Sequence, residues 1–198
     1  MGAAERQRAD VHLARQQWAL VRRSWSAERL VFLDETGLNT RMGRLYGRSP
    51  GGSRCVGVLP HGHWHTATLV AALRHDRISA PLLIDGPMDG TMFLAYVQRV
   101  LCVELHPNDL VICDNLSCHK VSGVLEAIES CGAELHYLPA YSPDLNPIEM
   151  AFAKLKAHLR RAAARNLPRL IKATARALDA FSPEHCRNFF RHAHYATN

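Results

Sequence analysis

The sequence predicts a single α/β domain in which helices cover both faces of a mixed central sheet. Short apolar runs with the length of strands alternate along the chain with longer amphipathic segments, the order that builds such a sheet. Two further runs flank a polar turn and indicate an antiparallel hairpin. The length of 198 residues suits one domain. No apolar run approaches the ~20 residues that cross a bilayer, so we expect a soluble, intracellular protein without membrane partners.

The first half of the chain predicts one helix, one buried strand and the hairpin. Residues 4–23 place Val11, Trp18 and Val21 on one face of a helix. Residues 29–35 form a nearly continuous apolar run that ends in acid, which is typical of a buried strand. The Gly-rich residues 36–54 predict a long irregular insertion. Residues 64–86 then predict two strands around the turn at 74–77.

The second half predicts alternating helices and strands, followed by further helices. We expect a helix from about 89 to 105, a strand at 108–115, a helix at 120–132 that stops at Gly132, and a strand at 133–139. Helices are then predicted at 147–163, 168–180 and 183–192, the last with a Ser-Pro start. Parallel strands in this order bring their carboxyl ends to one edge of the sheet, where sites form.

Two acids are expected to meet at that edge. Asp34 ends the first predicted strand and Asp114 ends the strand after the long helix. If these strands are parallel neighbours, the two carboxylates repel unless a cation lies between them. Oxygen ligands of this kind suit Mg²⁺ or Mn²⁺.

A stiff segment carries a third acid toward the same edge. Residues 137–149 contain three prolines, and Pro147 suits the first turn of the next helix. Asn146 is a good N-cap residue, and Glu149 follows within the first turn. One face of this helix carries Glu149, Lys156 and Arg160, so it presents a metal-type ligand followed by cations. Two metals held by three carboxylates make a phosphoryl-transfer site.

The charge distribution indicates a polyanionic partner. The net charge is +6, and no acid occurs between Met150 and Leu178. That interval carries eight basic residues: Lys154, Lys156, Arg160, Arg161, Arg165, Arg169, Lys172 and Arg176. A solvated helical face is the alternative, but the position beside the acidic site favours a nucleic-acid backbone.

These motifs resemble a known family. Asp34 in "VFLDETG", Asp114 in "VICDNLSCHK" and Glu149 in "LPAYSPDLNPIEMAFAKLK" are similar to the catalytic motifs of DDE transposases, in the mariner-like superfamily and its bacterial insertion sequence 630 type (DDE superfamily endonuclease). The 34 residues between Asp114 and Glu149 fit that pattern. The resemblance covers residues 28 to 195.

The resemblance implies a ribonuclease H-like fold and metal-dependent cutting and joining of transposon-end DNA. It makes residues 28–198 the catalytic domain and residues 1–27 a linker helix. Asp34, Asp114 and Glu149 would hold two Mg²⁺ or Mn²⁺ ions. Water would first free the transposon end, and the released 3′ hydroxyl would then attack target DNA. Members usually act as dimers and carry helix-turn-helix domains upstream, so we expect a homodimer and a separate end-binding segment in the bacterial cytoplasm, at the nucleoid.

Other residues are candidates for supporting roles. Asn115 and His119 match the family motif and are expected behind the metal ligands, although a helix-capping network is the alternative. Glu35 is expected to face away from Asp34 and to support the site. Lys120 is a further candidate for DNA contact.

The Gly-rich segment after the first strand offers two more candidates for DNA contact, Arg48 and Tyr46. Tyr46 would stack on a base, and a clasp onto another subunit is the alternative for the whole segment.

The histidines and cysteines of the chain bear on further metal or redox chemistry. Three histidines stand at alternate positions and would share one face of an extended chain: His61, His63 and His65. This spacing is compatible with zinc binding, but the sequence places no Cys or carboxylate as a further ligand. The six cysteines form no Cys-x-x-Cys pair, and we expect them to be reduced.

Two rival functions follow from the same residues. One is a stand-alone ribonuclease H-like nuclease. The other is a catalytically inactive or truncated transposase remnant that binds DNA through its basic helices.

Overall fold

The computed structural model describes residues 8–44, 46–56 and 63–195. Its strands are β1 (Leu30–Asn39), β2 (Thr66–Leu73), β3 (Ile78–Asp85), β4 (Leu110–Cys113) and β5 (Glu134–Tyr137). Its helices are α1 (Ala9–Val21), α2 (Gly90–Tyr96), α3 (Cys102–Glu104), α4 (Val124–Ser130), α5 (Pro147–Ala162), α6 (Leu167–Asp179) and α7 (Pro183–His192). None of the helices in the described ranges is long and apolar enough to span a bilayer.

The five strands form one mixed sheet in the order β3-β2-β1-β4-β5. The pairs β1–β2 and β2–β3 are antiparallel, whereas β1–β4 and β4–β5 are parallel. One face packs against α5, α6 and α7 through residues such as Phe32, Leu155 and Phe190. The other face packs against α2 and α4 through residues such as Leu33, Phe93 and Ile128. The predicted mixed sheet between helical layers is confirmed.

Three elements differ in length or form from the sequence expectations. β1 runs on to Asn39 because residues that were expected to be irregular pair with β2. The helix expected from 120 begins only at Val124, because Gly123 adopts a left-handed φ of 94° and residues 117–120 form a 3₁₀ turn. The helix expected at 89–105 forms, but a π-helical turn at Val97–Leu101 separates α2 from α3.

The outer strand β3 is irregular in its middle. Val70 pairs with Leu82 and Ala72 pairs with Ser79, so two residues of β3, Ala80 and Pro81, stand opposite the single residue between them on β2. Ala80 has a positive φ of 50°, and its carbonyl accepts a hydrogen bond of 2.8 Å from the buried hydroxyl of Tyr96. This β-bulge is therefore tied to the helical layer below it.

Helix α1 packs on the same face of the molecule as α7. The indole Nε1 of Trp18 donates a 2.8 Å hydrogen bond to the hydroxyl of Tyr195, and the Tyr195 ring lies 4.7 Å from that of Phe32 on β1. Arg15 donates two hydrogen bonds, of 3.0 and 2.7 Å, to the carboxylate of Asp144. The helix thus contacts both the core and the turn that precedes α5, while the domain boundary at residue 27 stays a prediction.

Candidate active site

Asp34 and Asp114 follow the last paired residues of two neighbouring parallel strands. The parallel ladder between β1 and β4 ends at the pair Leu33–Cys113, and each acid is the next residue. Leu33 and Cys113 belong to the core against α2 and α4. Because side chains alternate along a strand, Asp34 faces the opposite layer, where it contacts Asn146 at the start of α5. Asp114 lies just beyond the end of β4.

Asp34 is not the last residue of its strand, so that part of the sequence expectation is wrong. β1 continues through Asp34 to Asn39 because its other edge remains paired with β2. Only the parallel pairing with β4 stops at Leu33. The site therefore lies where β4 ends and β1 continues, and not at a point where both strands end.

The turn between β5 and α5 brings Glu149 to this opening. Pro143–Leu145 form a 3₁₀ turn, and Tyr141 has a positive φ of 54°. Helix α5 then begins at Pro147, whose fixed φ suits the first helical position. Glu149 lies in the first turn of α5 and its side chain is exposed.

Asn146 has a role that sequence reasoning missed. It occupies the N-cap position of α5 as expected, but its side chain makes no capping hydrogen bond. Its Nδ2 instead donates a 2.8 Å hydrogen bond to Oδ2 of Asp34. The backbone N–H of Glu35 donates to the other oxygen, Oδ1, at 2.8 Å. The proline turn therefore holds Asp34 as well as Glu149. The signal available in the sequence was an asparagine three residues before Glu149.

The three acids line one cavity of about 350 Å³. Asp34 is 6% exposed, Asp114 is half-buried and Glu149 is exposed. Asn115 and residues 138–143 form the other walls. Among the described residues, the carboxylate oxygens of the three acids do not all lie within 4.8 Å of one another. An open set of oxygen ligands suits Mg²⁺, which usually keeps several waters and takes one or two carboxylates.

Burial and the neighbouring carboxylates both oppose a charge on Asp34. Burial raises the pKa of this carboxyl, and the nearby charges of Asp114 and Glu149 raise it further, to about 8, against an ordinary value of 3.8. The hydrogen bond from the Glu35 N–H acts in the opposite direction and does not compensate. A divalent cation would relieve this repulsion, because it favours the charged form of each acid.

His119 connects Asp114 to Glu35 behind the cavity. It is fully buried, with Nε2 2.7 Å from Oε2 of Glu35 and Nδ1 2.7 Å from Oδ1 of Asp114. The contact to Glu35 is a well-directed hydrogen bond, whereas the contact to Asp114 has ion-pair distance without hydrogen-bond alignment at Nδ1. Burial alone would lower the pKa of His119, but its contacts with Asp114 and Glu35 raise it to about 10. The imidazolium is thus held between two carboxylates.

Aromatic residues surround His119. The ring of Phe93 on α2 lies 4.4 Å from it, and the hydroxyl of Tyr137 donates a 3.0 Å hydrogen bond to its backbone carbonyl. The helix-capping alternative is not what the side chain does, because both ring nitrogens face carboxylates.

The five residues considered for DNA contact lie outside the cavity lining. Lys120 is exposed, with its ammonium 5.2 Å from the centre of the Tyr137 ring. Lys156 and Arg160 are partly exposed on α5, and Arg48 and Tyr46 are exposed in the segment after β1. None of the five is among the residues that line the cavity.

The histidine cluster considered for zinc is only partly described. His61 lies outside the described residues, while His63 and His65 are exposed. Within the described ranges, the group that brings three ligand atoms within 4.8 Å is Glu35, Cys118 and His119. All six cysteines are free thiols.

Comparisons with known proteins identify a family and a fold for this chain. The family of DDE superfamily endonucleases matches residues 29–171. Among solved structures, the Mos1 transposase paired-end complex with left transposon end superposes with a TM-score of 0.72 at 17% identity, over 96% of this chain and 60% of that chain. No curated protein matches the sequence.

Two further structures of the same transposase are similar. The catalytic domain of Mos1 mariner transposase superposes with a TM-score of 0.66 at 16% identity, over 98% of this chain and 89% of that chain. The Mos1 mariner paired end complex with Mn gives 0.67 at 17% identity. The chain spans about 60% of the length of the transposase chains in the two paired-end complexes. The likeness in structure shows the ribonuclease H-like fold, and the family match covers more than two thirds of the sequence: this chain belongs to the DDE superfamily endonucleases.

Proposed function

We propose that this chain is the catalytic domain of a transposase of the mariner-like superfamily, insertion sequence 630 type, which cuts transposon-end DNA and joins it to a target. The observation that carries the proposal is that Asp34, Asp114 and Glu149, the three acids of the family motif, line one cavity. The similar structures include a complex with a transposon end and a complex with Mn, which supports this substrate and cofactor. Residues 28–198 would form the catalytic domain and residues 1–27 the linker.

The three acids are assigned as ligands of Mg²⁺ or Mn²⁺, with two ions at the site. The residues fit such ions, because every donor is a carboxylate oxygen and the buried Asp34 is destabilised in its charged form without a cation. When bound, the metals would lower the pKa of the attacking hydroxyl and stabilise the leaving oxygen.

The chain's own residues position these ligands. Asn146 and the Glu35 N–H each hold one oxygen of Asp34. His119, itself hydrogen-bonded to Glu35, lies against Asp114 and restricts its rotation. Asn115 lines the cavity beside Asp114 and would orient that carboxylate. Such partners of metal ligands commonly change affinity about 10–100-fold when they are removed.

The reaction consists of two displacements at phosphorus. In the first, the oxygen of water forms a bond to phosphorus and the bond to the 3′ oxygen breaks, which frees the 3′ hydroxyl of the transposon end. In the second, that hydroxyl bonds to a target phosphorus and expels the target's own 3′ oxygen. The charges of Lys120, Lys156 and Arg160, with Arg48 and Tyr46 on the segment after β1, would hold the DNA around the site.

Partners and location follow from the family. The protein would act as a homodimer on DNA, with a helix-turn-helix segment that recognises the transposon ends, in the bacterial cytoplasm at the nucleoid.

A crystal soaked in Mn²⁺ gives the most direct test of the metal assignment. We expect anomalous density between Asp34, Asp114 and Glu149 in the wild type and weaker density in Glu149→Gln. Density at Glu35, Cys118 and His119 alone would contradict the assignment.

Nicking of supercoiled plasmid in Mn²⁺ tests the activity. We expect wild-type protein to nick DNA and both Asp114→Asn and Glu149→Gln to be inactive, with unchanged DNA binding in EDTA. A preference for the RNA strand of a hybrid would favour the stand-alone nuclease. DNA binding without a metal-dependent product, even with an added end-binding domain, would favour the inactive remnant.

A further inference from the structure

A second charged groove lies between α5 and α6, away from the carboxylate cavity. It has a volume of about 380 Å³, and its floor consists largely of alanines, among them Ala162, Ala173 and Ala177. Small side chains leave room for a bulky ligand to approach the helix backbones. His158 on α5 is the polar residue on one wall.

The other wall is a row of three cations on α6. Arg169, Lys172 and Arg176 all line the groove and are exposed. Their spacing of three and four residues puts them on one side of the helix, roughly 5–6 Å apart at Cβ. Within the described parts of the chain, none of the three has a carboxylate within ion-pair distance. Asp179 ends α6 three residues after Arg176, but no ion pair joins the two side chains.

The groove lies on the opposite flank of α5 from the active site. At about 100° per residue, Glu149, Lys156 and Arg160 point within roughly 20° of one direction. His158 and Ala162 lie about 180° and 140° around the helix from Glu149. Ala162 is also about 20 Å along the helix axis from Glu149. A strand held along the Glu149 face would have to cross the helix to reach this groove.

We propose that this groove binds the phosphate backbone of a second DNA duplex, separate from the duplex whose phosphodiester lies at the carboxylate cavity. The inference rests on the proposed function for the identity of the ligand as DNA. Three unneutralised cations in a row match a polyanion with one charge per 3.4 Å of each strand better than they match a single small anion. Reaction of a transposon end with a target also requires two DNA segments on one protein.

The test counts duplexes bound per chain. Sedimentation in EDTA is measured with a labelled duplex of about 12 base pairs, about 40 Å long, on wild-type protein and on Arg169→Ala/Lys172→Ala/Arg176→Ala. The matched control is Arg23→Ala/Arg99→Ala/Arg187→Ala, which removes the same charge from exposed sites elsewhere. We expect two duplexes per chain for wild type and control, and one for the groove variant. In the wild type, the logarithm of the weaker site's affinity should fall against the logarithm of the salt concentration with a slope of at least about 2.7, from three phosphates at about 0.9 each.

The outcomes separate this inference from the catalytic proposal. One duplex per chain in all three proteins, or equal losses in the control, would overturn the second site. If the groove variant binds one duplex with lower affinity than the wild type binds its first duplex, the second site is also overturned. The groove would then contact the same duplex that lies at the active site. If the groove variant loses one duplex while no metal-dependent nicking ever appears, the catalytic proposal fails and the groove remains a DNA site.

Discussion

Asp34 carries the largest electrostatic cost in the metal-free protein. Its pKa is raised from 3.8 to about 8, so the folded state holds a proton that the unfolded state releases. Its contribution to stability is fully present below pH 3.8 and is lost as the pH rises through about 8. We expect Asp34→Asn to remove that loss, because the new amide carries no charge at any pH. A flip of the Asn146 side-chain amide, whose Oδ1 has no hydrogen-bond partner, would let that oxygen accept from the new amide.

The expected result is a more stable but inactive protein. In EDTA, Asp34→Asn should melt roughly 5 °C above wild type near neutral pH, with the difference growing as the pH rises from about 4 to 8. Added Mn²⁺ should raise the Tm of the wild type and not that of the variant. Asp85→Asn, at an exposed acid on β3, is the control. A difference that does not change with pH would mean that Asp34 is not the strained group.

His119 is expected to act through Asp114. Because its ring lies between Glu35 and Asp114, His119→Gln and Glu35→Gln should each weaken Mn²⁺ binding about 10–100-fold in calorimetric titrations. Phe93→Leu is the control, because Phe93 packs on the His119 ring without being a partner of either carboxylate. It should lower the Tm and leave the Mn²⁺ affinity near that of wild type. Equal Mn²⁺ affinities in the wild type and the three variants would mean that His119 only packs in the core and does not position Asp114.

At the residue scale, the three acids could be predicted from the sequence, but the residues that contact them could not. The three acids could be proposed because each stands beside an apolar strand or a proline turn in a recognisable motif. Asn146 could not be assigned to Asp34, because an asparagine before a helix most often caps it and the contact spans 112 positions of sequence. The link from Glu35 through His119 to Asp114 depends on a 3₁₀ turn at Ser117–Lys120, whereas the sequence predicted a helix only from residue 120.

Helix α5 is the element that joins the site to the expected DNA path. Lys156→Ala and Arg160→Ala should each reduce the salt dependence of duplex binding by about one unit of slope, measured by fluorescence anisotropy over a range of KCl. Lys154→Ala is a matched control on the same helix, because the Lys154 ammonium lies 5.2 Å from the centre of the Phe181 ring, in the connection between α6 and α7. An unchanged slope in both variants would remove this face of α5 from the interface.

Most elements could be predicted, and the exceptions have local causes. The order of strands and helices followed from periodicity, and the start of α7 followed from Ser182, whose hydroxyl accepts from the His185 N–H. The extension of β1 to Asn39 could not be predicted, because "TGLN" has weak strand propensity and is held by its pairing with β2. The delayed start of α4 depends on the left-handed φ of Gly123.

At the scale of the whole molecule, α1 is expected to contribute to stability. Trp18 is 9% exposed and bonded to Tyr195, so Trp18→Ala should cost about 3–5 kcal/mol of unfolding free energy in urea. Leu20→Ala on the same helix should cost at most about 0.5 kcal/mol, since Leu20 is 64% exposed. If Trp18→Ala leaves the unfolding free energy unchanged, α1 does not contribute to the stability of the domain.

The bulge at Ala80 and Pro81 has a consequence for self-assembly. An outer strand with unpaired backbone groups recruits other strands, which leads to aggregation or to sheets that run through two subunits. Pro81 lacks an N–H, and the bulge twists β3 away from a flat edge. The opposite edge is the four-residue strand β5, which is too short to support extensive pairing and is followed by Pro139. Both borders of the sheet thus resist strand addition, and two copies of this protein would meet through helices or loops.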